Sequence, residues 1–85
     1  MLHYFIETVG LLLRNGADVN LQGKAEGFTA LMMAASEGQL DVARVLLLNG
    51  ASVDPVDKDG DTAKKFARAN GHTEMLKLLG SQSLD

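Results

Sequence analysis

Cysteine is absent from the 85 residues. That removes disulfides, thiolate metal sites and cysteine nucleophiles together. Small secreted domains are usually stapled by disulfides, so a reducing, intracellular compartment, cytoplasmic or nuclear, is expected. Tryptophan is absent too, and aromatic residues make up 5% of the chain, which leaves no platform for stacking nucleic-acid bases. Basic residues are few, eight against eleven acidic, for a formal net charge of −3. They are scattered, with only Lys64 and Lys65 adjoining. Phosphate backbones require clustered cations, so no nucleic-acid partner is expected. No apolar run approaches the ~20 residues of a membrane span, so no membrane is expected either. The opening MLHYFIETVGLLLRNGA lacks a basic leader and is interrupted by Glu7, unlike a signal peptide. A chain this short buries only a little over ~60% of its unfolded surface, so it forms one domain at most and needs an economical architecture.

What is present is self-similarity. LLLRNGADVN at 11–20 returns as VLLLNGASVD at 45–54, a spacing of 34. EGFTA at 26–30 returns as DGDTA at 59–63, and SEGQLDVARVLL at 36–47 as ANGHTEMLKLLG at 69–80, both at a spacing of 33. The period is therefore 33, with one extra residue within LQGKAEG. A period of this size implies a stacked solenoid.

One unit reads as two helices joined by a tight turn. The hydroxyl of Thr29 can cap the free N–H groups of a helix over 30–37, with the small Ala34 and Ala35 on one side. Gly38 suits the position just past a helix end. A second helix is expected over 40–48, with Leu40, Ala43, Leu46 and Leu47 at helical spacing. Asp41 suits its positive dipole end, and Asn49 and Gly50, both tolerant of positive φ, stop it. The connector ASVDPVDKDG is turn-rich. Helices are expected at about 2–14, 30–37, 40–48, 63–70 and 73–80.

These residues resemble ankyrin repeats. In the middle unit the match falls on Gly27, Thr29, Leu31, Ala34, Ala35, Gly38, Leu46, Leu47, Gly50, Ala51 and Val53. In the last it falls on Gly60, Thr62, Ala67, Gly71, His72, Leu78 and Leu79. In the first it falls on Leu12, Leu13, Gly16, Ala17, Asp18, Val19 and Asn20. The resemblance covers nearly the whole chain. It implies an all-α solenoid of stacked antiparallel helix pairs with projecting β-turn fingers. The units would be a partial first repeat at 1–22, a second at 23–55 and a capping repeat at 56–85.

Some positions depart from the family pattern. Its helix-start proline is Ala30 and Ala63, its histidine is Met32 and Lys65, and a leucine position of the last unit is Lys64. A charge at that position suits a terminal unit whose outer face meets water. The first helix of the first unit is missing, so Phe5, Ile6, Val9 and Leu13 are expected to have one uncovered flank. Either the chain is a fragment of a longer array, or a partner or second copy covers that edge.

The acidic stretch DKDGDT, with Asp57, Asp59 and Asp61, resembles the start of a calcium loop. Register defeats that reading: the required loop glycine falls on Thr62, and the bidentate glutamate on Arg68. A β-turn over Asp57-Lys58-Asp59-Gly60 is expected instead, with the aspartates as surface residues of a finger tip. His72 lacks a second ligand or a triad, so the resemblance gives it a structural hydrogen bond to backbone between repeats. GFTALMMAASEG is not a phosphate loop, having neither the Lys-Ser/Thr pair nor a preceding strand. Met33 is expected in the core, and Met32 buried but nearer the groove. Asp41 with Arg44 and Glu74 with Lys77 are helix-surface pairs. No nucleophile, base and acid can be assembled, so no catalysis and no cofactor are expected.

The resemblance implies a protein partner bound through turn tips and the inner face of each unit's first helix. By register these positions are Lys24, Ala25, Glu26, Phe28, Ser36 and Glu37, then Lys58, Asp59, Asp61, Ala69 and Asn70. Phe28 has two readings, an exposed anchor or a ring packed back on the neighbouring turn. Similar ankyrin proteins are substrates of an asparaginyl hydroxylase, and Asn20, with Leu12 eight residues before it, has the target context. The expectation is a non-catalytic interaction module, or a capping segment of a longer ankyrin scaffold.

Overall fold

The structure is a computed structural model that describes residue 16 and residues 18–81. The helix expected over 2–14, with Leu12 and the proposed self-association face of Phe5, Ile6, Val9 and Leu13, lies outside the described residues. Four helices follow in two pairs: α1 (Ala30–Glu37), α2 (Leu40–Leu48), α3 (Ala63–Ala69) and α4 (Thr73–Gly80). None of the described helices is long and apolar enough to cross a membrane.

Local chemistry sets the starts. Thr29 adopts an extended conformation, and its Oγ1 accepts from the Met32 N–H at 3.1 Å. The Met32 thioether returns the favour at 3.4 Å by accepting from the Thr29 N–H. The capping box is thus closed by sulfur instead of the usual carboxyl. Thr62 caps α3 in the same way through the Lys65 N–H. Gly38 ends α1 in the left-handed region at φ 71°, with its N–H turned back to the last turn. The helix expected over 63–70 ends at Ala69. Asn70 leaves the helical region and caps α3, its Nδ2 donating to the Phe66 carbonyl at 2.9 Å. Asn49 does the same for α2 through Val45. Neither asparagine takes a positive φ, so Gly50, at φ 89°, takes the left-handed turn after α2 by itself.

Packing follows from the small residues. α1 packs on α2 and on α3, and α3 on α4. Ala34, Ala35, Ala63 and Ala67 are all but sealed from solvent, which lets α1 and α3 approach closely. Leu31, Val42, Leu46, Met75 and Leu79 fill the space around them. Each is worth about 1.5–3 kcal/mol of transfer free energy when fully buried.

Polar joints tie residues about one period apart. Asn20 donates to the Gly50 carbonyl at 3.3 Å and accepts from the Ser52 N–H at 2.7 Å. Gln22 Nε2 bridges the carbonyls of Gly27 and Val56. The Lys58 N–H donates to the Glu26 carbonyl at 2.9 Å. His72 Nε2 lies 3.0 Å from the Ser36 carbonyl; a carbonyl only accepts, so Nε2 carries the proton. The expected backbone role of His72 is therefore present.

The finger at 57–61 corrects one reading. The β-turn is there, with the Gly60 N–H donating to the Asp57 carbonyl. Asp57, however, is buried instead of decorating the tip. Its Oδ1 accepts from the N–H groups of Asp59 and Asp61, both at 2.9 Å. The reason is backbone satisfaction: a tight finger turns amides inward, and a short carboxylate can accept two of them. Asp61 instead pairs with Lys65 at 3.1 Å. The aspartates thus have separate tasks.

The outer face of α3 differs from that of α1. Leu31, Met32 and Ala35 are at most 2% exposed. One period on, the same places are Lys64, Lys65 and Arg68, half-buried or exposed.

Candidate partner-binding groove

The inner helices α1 and α3 and the finger before α1 enclose a groove of about 340 Å³. Its lining is Phe28, Met32, Met33, Ser36, Glu37, Gln39 and Phe66. Phe28 precedes the Thr29 cap, so the finger's exit aims its ring across the start of α1. It meets Phe66 of α3 edge to face, with centroids 5.9 Å apart and planes at 86°, the arrangement that the ring quadrupoles favour. Phe28 nonetheless keeps 36% of its surface exposed. Of its two readings, packing occurs, but against the next helix rather than the neighbouring turn, and an exposed ring remains.

Met33 is 47% exposed and Met32 only 2%, so the core assignment of Met33 is wrong. Successive helical residues are turned by about 100°, a consequence of 3.6 residues per turn. Met32 shares the buried side of α1 with Leu31, Ala34 and Ala35 and also closes the Thr29 cap, which leaves Met33 on the groove wall. The placement of Met32, buried and on the groove, stands.

Three of the positions named from sequence come together here: Phe28, Ser36 and Glu37. The rest lie outside the lining. Glu26 and Lys58 form an ion pair at 3.1 Å between fingers. Asp61 pairs with Lys65, and Asn70 is spent on its cap. Lys24, Ala25, Asp59 and Ala69 are exposed. Gln39 and Phe66 were not named from sequence, and Met33 was placed in the core rather than on the groove. The period could have found Phe66, which stands one repeat after Met33 on the same ladder. Asn20 sits at a joint, with both ends of its amide engaged.

The family description "Ankyrin repeats (3 copies)" matches residues 2–85. The chain belongs to the ankyrin repeat family. The ankyrin stretch is 46% identical over 74 residues to the E3 ubiquitin-protein ligase XBAT33 of Arabidopsis thaliana, covering 86% of this chain and 14% of the ligase. It is 37% identical over 73 residues to the potassium channel AKT3 of Oryza sativa subsp. japonica, again 86% of this chain and 8% of the channel. It is 34% identical over 80 residues to the human protein phosphatase 1 regulatory subunit 27, 94% of this chain and 51% of that protein. The chain thus spans a small part of the ligase and channel, and about half of the phosphatase subunit. Ankyrin repeats are generally protein-interaction modules, and the ankyrin match is to the repeats alone.

Proposed function

We propose that this ankyrin chain is a non-catalytic module that binds a protein partner through the groove between α1 and α3 and the adjoining finger tips. The single observation that carries this is the exposed, aromatic-walled groove at Phe28, Met33 and Phe66. A half-exposed ring and thioether over a formed wall supply apolar area without a further fold change, as binding hot spots do. Lys24, Glu26, Lys58, Asp59, Asp61 and Asn70 would form its polar rim.

Immobilised wild-type chain should retain a protein set that Phe28→Ala loses, with affinity falling about tenfold or more. Phe28 also packs on Phe66, so its loss costs some stability. Met33→Ala, on an exposed helix site, should weaken capture with an unchanged melting curve. Identical retained sets for all three proteins would sink the proposal.

The cationic outer face of α3 favours a second reading, a capping segment of a longer ankyrin array. In that case neither substitution alters what is retained.

Asn20 is proposed as a hydroxylation site on its sequence context. Treatment with an asparaginyl hydroxylase should add one oxygen to the intact mass, and Asn20→Ala should abolish the gain. An unchanged wild-type mass would remove this proposal.

A further inference from the structure

We propose that the groove selects an arginine side chain of the partner, with Glu37 as its counter-charge and the Phe28–Phe66 wall as its resting surface. This rests on the groove being the partner surface. Glu37 is the one charged residue of the lining. Its carboxylate has no hydrogen-bond or ion-pair partner among the described residues. Of the finger acids, Glu26 is engaged by Lys58, Asp61 by Lys65 and Asp57 by the turn amides, while the exposed Asp59 lies outside the lining.

Helix electrostatics point the same way. Glu37 is the last residue of α1, where the macrodipole is negative and an acid is unfavourable. α3 and α4 carry Arg68 and Lys77 in their last turns, whereas α1 and α2 carry no basic residue there. His72 donates to the Ser36 carbonyl at the α1 end, but no basic residue of the last turn balances the Glu37 carboxylate beside the apolar wall. An incoming cation balances it. An apolar side chain would instead desolvate Glu37 with nothing in return.

The wall distinguishes among cations. A planar guanidinium stacks on aromatic faces, is more weakly hydrated than an ammonium, and pairs with a carboxylate through two N–H groups. Its aliphatic stem can lie along Met33 and Phe66 while the head reaches the rim. A volume of about 340 Å³ is at the lower end of ligand pockets, suited to one long side chain.

The test is an NMR titration of the whole chain with N-acetyl-arginine methylamide. Its uncharged counterpart, N-acetyl-citrulline methylamide, and the apolar N-acetyl-norleucine methylamide are run beside it. Arginine should shift Phe28, Met33 and Phe66 resonances, with citrulline about tenfold weaker or worse. Glu37→Gln should reduce arginine to the citrulline level while melting is unchanged or raised. Equal binding of arginine and citrulline, an unaltered response in Glu37→Gln, or silence from all three probes overturns the inference. Binding of norleucine without arginine overturns it too, yet leaves the groove as a partner surface; the Phe28→Ala and Met33→Ala captures judge that surface separately.

Discussion

Gly38→Ala should lower the melting temperature by roughly 10–40 °C. Two costs combine. Gly38 sits at φ 71°, and an alanine held in the left-handed region loses about 1–2 kcal/mol. Its Cβ would also stand 2.7 Å from Nδ1 and 2.8 Å from Cε1 of His72. The ring cannot simply swing away, because Nε2 is bound to the Ser36 carbonyl. Overpacking of this kind costs about 1–3 kcal/mol, and in a domain of 60–100 residues each kcal/mol moves the midpoint by about 4–8 °C. The two costs separate in a cycle with His72→Ala. That change alone loses one hydrogen bond, about 1 kcal/mol. In its background Gly38→Ala should cost only the backbone term, a non-additivity of about 1–3 kcal/mol. Equal costs in both backgrounds, measured by circular dichroism melting, would show that the ring and the glycine are uncoupled.

Leu31→Lys should leave the chain unfolded at room temperature, whereas Lys64→Leu should change stability by no more than about 0.5 kcal/mol. The two positions are one period apart and carry the opposite residues. Leu31 is 1% exposed, in the core cluster with Ala34, Ala35 and Ala63. Removing a buried leucine costs about 2–5 kcal/mol. An ammonium placed there without a partner costs several more, or must give up its proton. A total of this size is comparable with the whole stability of a small domain, about 5–15 kcal/mol. At position 64 no further repeat covers the helix among the described residues, and water reaches the side chain. Far-ultraviolet circular dichroism of both variants is sufficient. A folded Leu31→Lys would show that the α1–α3 seam admits water.

The repeat made most of the fold legible in the sequence. Thr29, Gly38 and Gly50 fixed element ends because capping and left-handed turns are local chemistry, carried by one or two residues each. What stayed hidden depended on tertiary choices. Met32 and Met33 are neighbours of the same type, and the side of α1 that packs, shared by Leu31, Met32, Ala34 and Ala35, decides which one faces out. Asp57 looked like one of three equivalent acids, yet only the closed finger shows that it accepts from two amides. Phe66 was legible as apolar, but its use as groove wall requires Phe28 to cross from the preceding finger. The composition of the groove was thus partly visible at Phe28, Ser36 and Glu37, and its enclosure was not.

The joints between units have a consequence for how such a chain can change. Asn20, Gln22 and His72 each reach across to carbonyl or amide groups, which every residue type except proline supplies in full. The exposed Glu26–Lys58 pair is the exception that reads a side chain. The polar part of the seam is therefore largely blind to the letters of its neighbour, while the apolar part, with Phe28 on Phe66 and the buried alanines, is not. A unit could be duplicated, exchanged or allowed to drift at its groove and finger positions while the seam still closes, provided its alanines and its turn glycines stay in phase.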